Sequence, residues 1–393
     1  MSSIEKKIID FFIRYKEIAF LSIITILACV VRFSVRKFES ADYEVCLKGW
    51  YYYFCDNGGL RGLSQQVGNY PIIYQFFIAL MTYIPINELY LYKMISIVFD
   101  FILAISVGLL VNHLVGVKVV ITSQFCLSYS TVLFLPTVFM NSAVWAQCDV
   151  IYTVFVILSI YYLVKDKFNI SFVFFGIALA FKIQTIFVLP FILVYYVCTR
   201  KFRITKLLIS LFSFWIMSLP GFIFGRSLLS PFQWLVGLTG DDKAMQCGLP
   251  NLWNIITVDY EYFSTYAIIV SIVILGISLI YILFKKLSFE NHTFILYYLA
   301  WSVWTCIMFL PGMHERYSYI LCMILLVCLI FTKRISVLIC FIVEQICIIS
   351  TYMQFLYSNG LDIRFVSMVY IGLYICFSIM LYNESKKGLP VQV

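Results

Sequence analysis

Asp42 and Glu44 flank Tyr43, with Glu39 just upstream, in the stretch 39–74, ESADYEVCLKGWYYYFCDNGGLRGLSQQVGNYPIIY. A carboxylate beside aromatic rings and partly shielded from water is suited to act as a general base. Asp42 and Glu44 are the candidates, with Tyr43 beside them. Spacing alone also fits a solvated loop carboxylate. The run Asp56-Asn57-Gly58-Gly59 reads as a turn.

A second cluster is Pro311-Gly312-Met313-His314-Glu315-Arg316-Tyr317. Ionisable side chains at the end of an apolar helix are costly without partners, and an Arg beside a His suits a phosphate at headgroup depth. His314 and Arg316 are therefore candidate phosphate-binding residues, with Glu315 and Tyr317 adjoining. An interfacial turn with a snorkelling Arg is the plainer alternative.

A third set joins 141–149, NSAVWAQCD, to Phe181-Lys182-Ile183-Gln184. Asp149 and Lys182 are ionisable at membrane depth and suit a facing pair, either touching substrate or only fixing helix register. Trp145, Gln147 and Gln184 accompany them, as does Tyr70 in the first stretch. Asp100, inside an apolar run, needs a partner and reads as scaffold.

Other chemistries find no support. The sequence has no P-loop, dinucleotide fingerprint, HExxH or GxSxG element in a matching context. No carboxylate cluster demands a metal; no cofactor is expected, and a divalent metal is left open. Without a soluble lobe to hold a nucleotide-sugar, any donor has to be reached from within the membrane.

These residues must be positioned by a membrane scaffold. The chain is 63% hydrophobic and 12% charged, with mean hydropathy +0.96, far from soluble usage. Its net charge of +8 sits in short basic clusters between apolar runs, which is how topology is encoded and not how nucleic acid is bound. Apolar runs fall at 17–35, 90–111, 117–139, 149–164, 168–181, 183–198, 205–225, 263–284, 293–310, 317–331, 334–356 and 364–382.

Keeping every basic cluster on one side requires an even number of crossings between clusters. As one helix, 168–198 would be about 46 Å long against ~30 Å of hydrocarbon, so it reads as a short hairpin bending near Lys182. The stretch 71–86, with proline near both ends, reads as an interfacial or re-entrant helix. The expected fold is an all-α polytopic membrane protein of about 12 transmembrane helices in a single domain. A large outer loop, 36–89, precedes helices 90–225, a second outer loop 226–262 and the C-terminal helices 263–393. Both termini are expected inside, and 226–262, with Trp234, Asp241 and Asp242, could serve a long acceptor. Thirteen cysteines read mostly as small apolar residues, although Cys46 and Cys55 could pair in an oxidising compartment.

Ala41-Asp42-Tyr43-Glu44 with Trp50, Asn69-Tyr70-Pro71-Ile72-Ile73-Tyr74, Asn141-Ser142 through Trp145 and Gln147, Phe181-Lys182-Ile183-Gln184 and His314-Glu315-Arg316-Tyr317 come in a telling order. In that order the chain resembles the GT-C superfamily of integral membrane glycosyltransferases, specifically bacterial relatives of the dolichyl-phosphate-glucose glucosyltransferases and membrane mannosyltransferases. The resemblance implies Asp42 as catalytic base, a polyprenyl-phosphate-hexose donor, and transfer with inversion. The acceptor would be a cell-surface glycan or lipid-linked molecule at the outer face of the plasma membrane. His314 and Arg316 would stabilise the leaving phosphate. One departure is Asn69-Tyr70-Pro71-Ile72, where relatives often carry a double proline; it bears on Asn69 and leaves Asp42 unaffected. A polysaccharide polymerase using lipid-diphosphate oligosaccharides is the alternative enzyme, and a lipid or sugar transporter the alternative class. A transporter calls for ionisable residues near the midplane, whereas these collect on one face.

Overall fold

The computed structural model describes residues 3–237 and 243–387, and in it the chain is almost wholly helical. Asp241 and Asp242 lie outside the described residues.

The first helix, α1 (Ser3–Ser34), is largely exposed over Ile13–Ser34 and packs one stripe on α5 (Ser123–Phe134). The segment that follows is folded and not a free loop. A π-turn over Tyr43–Leu47 leads into α2 (Lys48–Asp56), a 3₁₀ turn at Gly59–Ser64, and α3 (Ile72–Met81). The expected 71–86 helix is therefore shorter, ending before Pro85. It is buried at Ile72, Ile73, Tyr74, Gln75 and Ile78 against its neighbours.

Next come α4 (Glu88–Leu114), α5 (Ser123–Phe134), the single turn α6 (Pro136–Phe139), α7 (Asp149–Val164) and α8 (Phe168–Phe181). The run 117–139 is not one straight helix. It starts at Ser123, capped by Thr122, and bends by 50° where Pro136 follows Leu135. Proline removes a donor and pushes the preceding residue out of helical backbone.

The break at Lys182 falls where the sequence places it. Lys182 is extended, at φ −158° and ψ 134°, before a 3₁₀ stretch Ile183–Val188 and α9 (Leu189–Thr199). The two arms then take different neighbours. α8 lies along α7 and α10 (Leu207–Ile216), whereas α9 runs beside α13 (Tyr260–Phe284) and α14 (His292–Phe309). The hairpin is splayed.

The run 205–225 is likewise broken, into α10 and the short α11 (Leu219–Ile223), with Pro220 at its start and Gly225 at φ +96° beyond. After α12 (Ser230–Gly237) the chain re-enters with α13 and α14, then α15 (Tyr319–Thr332), α16 (Ile335–Tyr357) and α17 (Ile363–Lys387). A two-stranded parallel ribbon pairs β1 (Gln246–Cys247) with β2 (Met313–His314), tying the second loop to the 311–318 turn.

Contacts fix the directions of the helices. Ser171 meets Ser159 while Lys182 meets Asp149, so α7 and α8 are antiparallel. Tyr374 meets Thr305 while Ser378 meets Trp301, so α14 and α17 are too. The innermost helix, α14, is almost entirely buried.

Among the described residues, six helices are long and apolar enough to cross a membrane, or seven if the bent 123–144 pair counts as one. The remaining runs expected to cross form helices of 10 to 16 residues, roughly 15–24 Å long. The structure thus establishes a helical protein with several membrane-length helices and not twelve full-length ones. All thirteen cysteines are free, so the suggested pairing of Cys46 with Cys55 is not formed.

Candidate active site

Asp42 is held in place from two sides. Behind it, Lys93 of α4 donates to the carbonyls of Arg36 (2.9 Å) and Phe38 (2.6 Å), fixing the exit from α1. Ser40 donates to the Trp145 carbonyl at 2.9 Å and accepts from the Tyr43 amide. In front, Oδ2 of Asp42 accepts from Trp145 Nε1 at 2.9 Å and Gln147 Nε2 at 2.6 Å. Its side chain stays 27% exposed.

Backbone geometry at 140–148 makes this possible. Past the Pro136 bend, a π-turn at Met140–Val144 is followed by Ala146 at φ +65°, a left-handed conformation rarely taken by a residue with a side chain. This turn aims Trp145 and Gln147 together at Asp42. Gln147 is oriented in turn by the Tyr70 hydroxyl, which donates to its Oε1 at 3.1 Å.

Asp149, fully buried, accepts from Asn141 Nδ2 at 3.0 Å and is ion-paired with Lys182. That pairing matches the sequence expectation, and the extended backbone at Lys182 is what turns its ammonium inward. Arg316 lies between the two aspartates. Its Nη1 is 3.8 Å from Asp42 and its Nε 3.8 Å from Asp149, while Nη1 also donates to Glu315 Oε1 at 2.9 Å. The guanidinium sits over the Trp145 ring, 5.4 Å from its centroid. Burial works against its charge, but Glu315 and Asp149 more than offset that and hold it protonated.

A cavity of about 330 Å³ opens beside this cluster. Lys182, Gln184, Arg316 and Tyr317 line one side, Asn69 and Tyr70 another. Ile183, Ile268 and Leu310 add an apolar wall, and Ile268 is exposed on the outside of α13. Gln184 Oε1 and Arg316 Nε are buried and make no hydrogen bond within the protein. Both residues line the cavity, where a bound polar group could satisfy these atoms.

Other expected site residues fall elsewhere. Tyr43 is buried and turned away, its hydroxyl donating to Glu88 at 2.9 Å, and burial raises its pKa further above the usual tyrosine range. Glu44 is exposed and pairs with Lys48 at 3.1 Å, away from the cluster, which removes it as a candidate base. His314 belongs to the β ribbon and packs on Tyr317 at 5.1 Å between ring centroids.

Two anchors, Arg32 and Arg226, escaped the sequence reading, and a third, Trp234, expected to serve an acceptor, is instead engaged by the other outer loop. Arg32 pairs with Asp100 at 2.9 Å, with Ser142 also donating to that carboxylate at 2.6 Å. Arg226 donates to the Leu63 carbonyl, to Gln66, to Gln75 and to the Gln65 carbonyl, fastening the outer segment to the end of α11. Trp234 donates to the Asn69 carbonyl at 2.9 Å and so joins the two outer loops. Long-range partners give no spacing signal, although an arginine within an apolar run at position 32 is itself a sign of a buried acid.

Among the described residues, no group of three or more His, Cys, Asp or Glu side chains is placed to hold a metal ion. Comparison with family models and with curated proteins gives no match to this chain.

Proposed function

We propose that this protein is an inverting, GT-C-like hexosyltransferase that takes a sugar from a polyprenyl-phosphate donor and transfers it to a glycan or lipid-linked acceptor. One observation carries the reading. Arg316, whose guanidinium faces the Asp42 carboxylate at 3.8 Å, lines a cavity with Lys182 beside it at one end and an apolar wall at the other. A lipid-linked phosphate needs both ends.

In the proposed reaction Asp42 accepts the proton of the acceptor hydroxyl as its oxygen bonds to the anomeric carbon. The bond from that carbon to the phosphate oxygen breaks on the opposite side, inverting the centre, and polyprenyl phosphate leaves with the electron pair. Protonation removes the charge from Asp42 as charge grows on the leaving phosphate. Arg316, relieved of one carboxylate neighbour, then stabilises the other, which is electrostatic catalysis directed at the leaving group. Lys182 lines the cavity beside Arg316 and is the better-placed second cation, with His314 supporting the turn from behind.

We read the alternating helices as twelve crossings of a plasma membrane, five of them by short segments. Lys165, Lys167, Arg200, Lys285, Lys333 and Lys386 all lie at helix ends remote from Asp42, which supports cytoplasmic termini and an outer-face site.

The test is transfer of radiolabelled sugar from a panel of polyprenyl-phosphate-hexoses by purified protein. Transfer or slow donor hydrolysis from one of them is expected. Turnover only with a lipid-diphosphate oligosaccharide would make the protein a polymerase, and binding without turnover would make it a transporter.

A further inference from the structure

A second cavity, of about 350 Å³, lies on the far side of the same turn. Glu315 and Arg316 are consecutive and hydrogen-bonded to each other, yet they line different cavities, Arg316 the first and Glu315 the second. The Glu315 carboxylate is 4% exposed, and its Oε2 points at Gly248, where even a methyl group would meet it at 2.6 Å.

The two cavities differ in chemistry. The first has Lys182 and Arg316. The second has no cation in its wall; it is lined by Glu315, Gln246, Asn254, Gln354, Thr351 and the ring of Phe355, with Leu361 and Ile363 adding apolar surface, and Asn254, Thr351 and Gln354 each already spend one polar atom on the protein backbone. One carboxylate, several neutral donors and acceptors and an aromatic face form a set that hydrogen-bonds hydroxyls and packs against the C–H face of a sugar ring. The charge of Glu315 is already paired with Arg316, and no cation in this wall is left to receive an anion.

The two cavities connect to Asp42 differently. Arg316 lines the first and faces the Asp42 carboxylate directly, whereas the second is linked to Asp42 through two residues, Phe355 stacked on Trp145 at 4.6 Å with Trp145 donating to Asp42, or Glu315 bonded to Arg316.

We infer that this second cavity binds a neutral saccharide, a portion of the acceptor, beside the turn that carries Arg316. Its role rests on the glycosyl-transfer reading, but its ligand chemistry does not.

The test is direct binding to full-length protein in detergent, with methyl hexosides and a neutral tetrasaccharide as probes of the second cavity and farnesyl phosphate as probe of the first. Phe355→Ala and, as a milder change on an exposed side chain, Gln246→Ala are expected to raise the saccharide Kd at least tenfold while the farnesyl phosphate Kd moves less than twofold; Lys182→Met gives the converse. If no neutral saccharide binds the wild type, or if Lys182→Met weakens saccharide binding and Gln246→Ala does not, the inference is overturned. Saccharide binding that depends on Gln246 in a protein that does not bind farnesyl phosphate would uphold the second cavity and sink the donor assignment instead.

Discussion

The indole nitrogen of Trp145 donates a 2.9 Å hydrogen bond to Oδ2 of Asp42, joining residues 103 positions apart in the chain. Together with Gln147 on the same oxygen, it fixes the direction in which that carboxylate presents its remaining lone pairs. Trp145→Phe keeps the ring and removes the donor. Because misplacing a catalytic group by about 1 Å can cost on the order of 10²-fold, kcat is expected to fall between tenfold and a hundredfold with the donor KM unchanged. Steady-state kinetics separates this from a packing defect, which would lower the thermal midpoint and leave kcat per folded molecule intact.

Lys182 and Asp149 form a buried pair, the carboxylate fully enclosed. Removing one partner strands the other, at a cost of about 3–5 kcal/mol. Lys182→Met is therefore expected to lower the thermal midpoint markedly, and Asp149→Asn in the same protein to restore much of it. On the proposed role of the ammonium as a phosphate ligand, farnesyl phosphate binding is not expected to return. Recovery of both together would mean the pair serves only the fold.

Asp100 and Glu344 are both fully buried carboxylates, but their surroundings differ. Asp100 faces Arg32, whereas Glu344 accepts from the Cys322 thiol at 3.2 Å and the Gln345 amide at 2.8 Å, with no Lys or Arg nitrogen within 4 Å among the described residues. Asp100→Asn should destabilise by about 3 kcal/mol or more through the stranded arginine. Glu344→Gln, which replaces an acid without a cation by a neutral group of the same shape, should cost less than about 1 kcal/mol or stabilise. Thermal unfolding of the two variants checks the contrast, and the reverse order would contradict it.

Arg226 holds the outer segment through four acceptors, and although burial lowers its pKa to about 10, it is charged at neutral pH. Arg226→Ala leaves the Leu63 and Gln65 carbonyls and the Gln66 side-chain oxygen to be resatisfied, while Gln75 Oε1 keeps the Val67 amide, at roughly 2–4 kcal/mol. Limited proteolysis should then cut within 59–69 well before the wild type is cut there. Equal protection would show that the segment is held by packing alone.

What the sequence made legible was what local chemistry marks. The hairpin break at Lys182, the pairing of Asp149 with Lys182 and the need of Asp100 for a partner all follow from the cost of a charge in an apolar run. Helix integrity was harder to read. The runs 117–139 and 205–225 are apolar throughout, and only Pro136 and Pro220 signal that they break. Side-chain direction was not readable at all. Tyr43 and Glu44 neighbour Asp42 in sequence, yet the π-turn they enter sends one to Glu88 and the other to Lys48. Which faces of Glu315 and Arg316 meet which cavity depends on the β ribbon that fixes their turn, and two-residue strands carry no periodic signal.

The central claim is that Asp42 is the base. Asp42→Asn keeps the shape of the side chain and presents an amide oxygen to Trp145 and Gln147, so the fold should persist with an unchanged thermal midpoint. With whichever polyprenyl-phosphate-hexose the donor panel identifies, sugar transfer is expected to fall by at least about 10³-fold while farnesyl phosphate still binds. Transfer at more than a tenth of the wild-type rate by the folded variant would contradict the account.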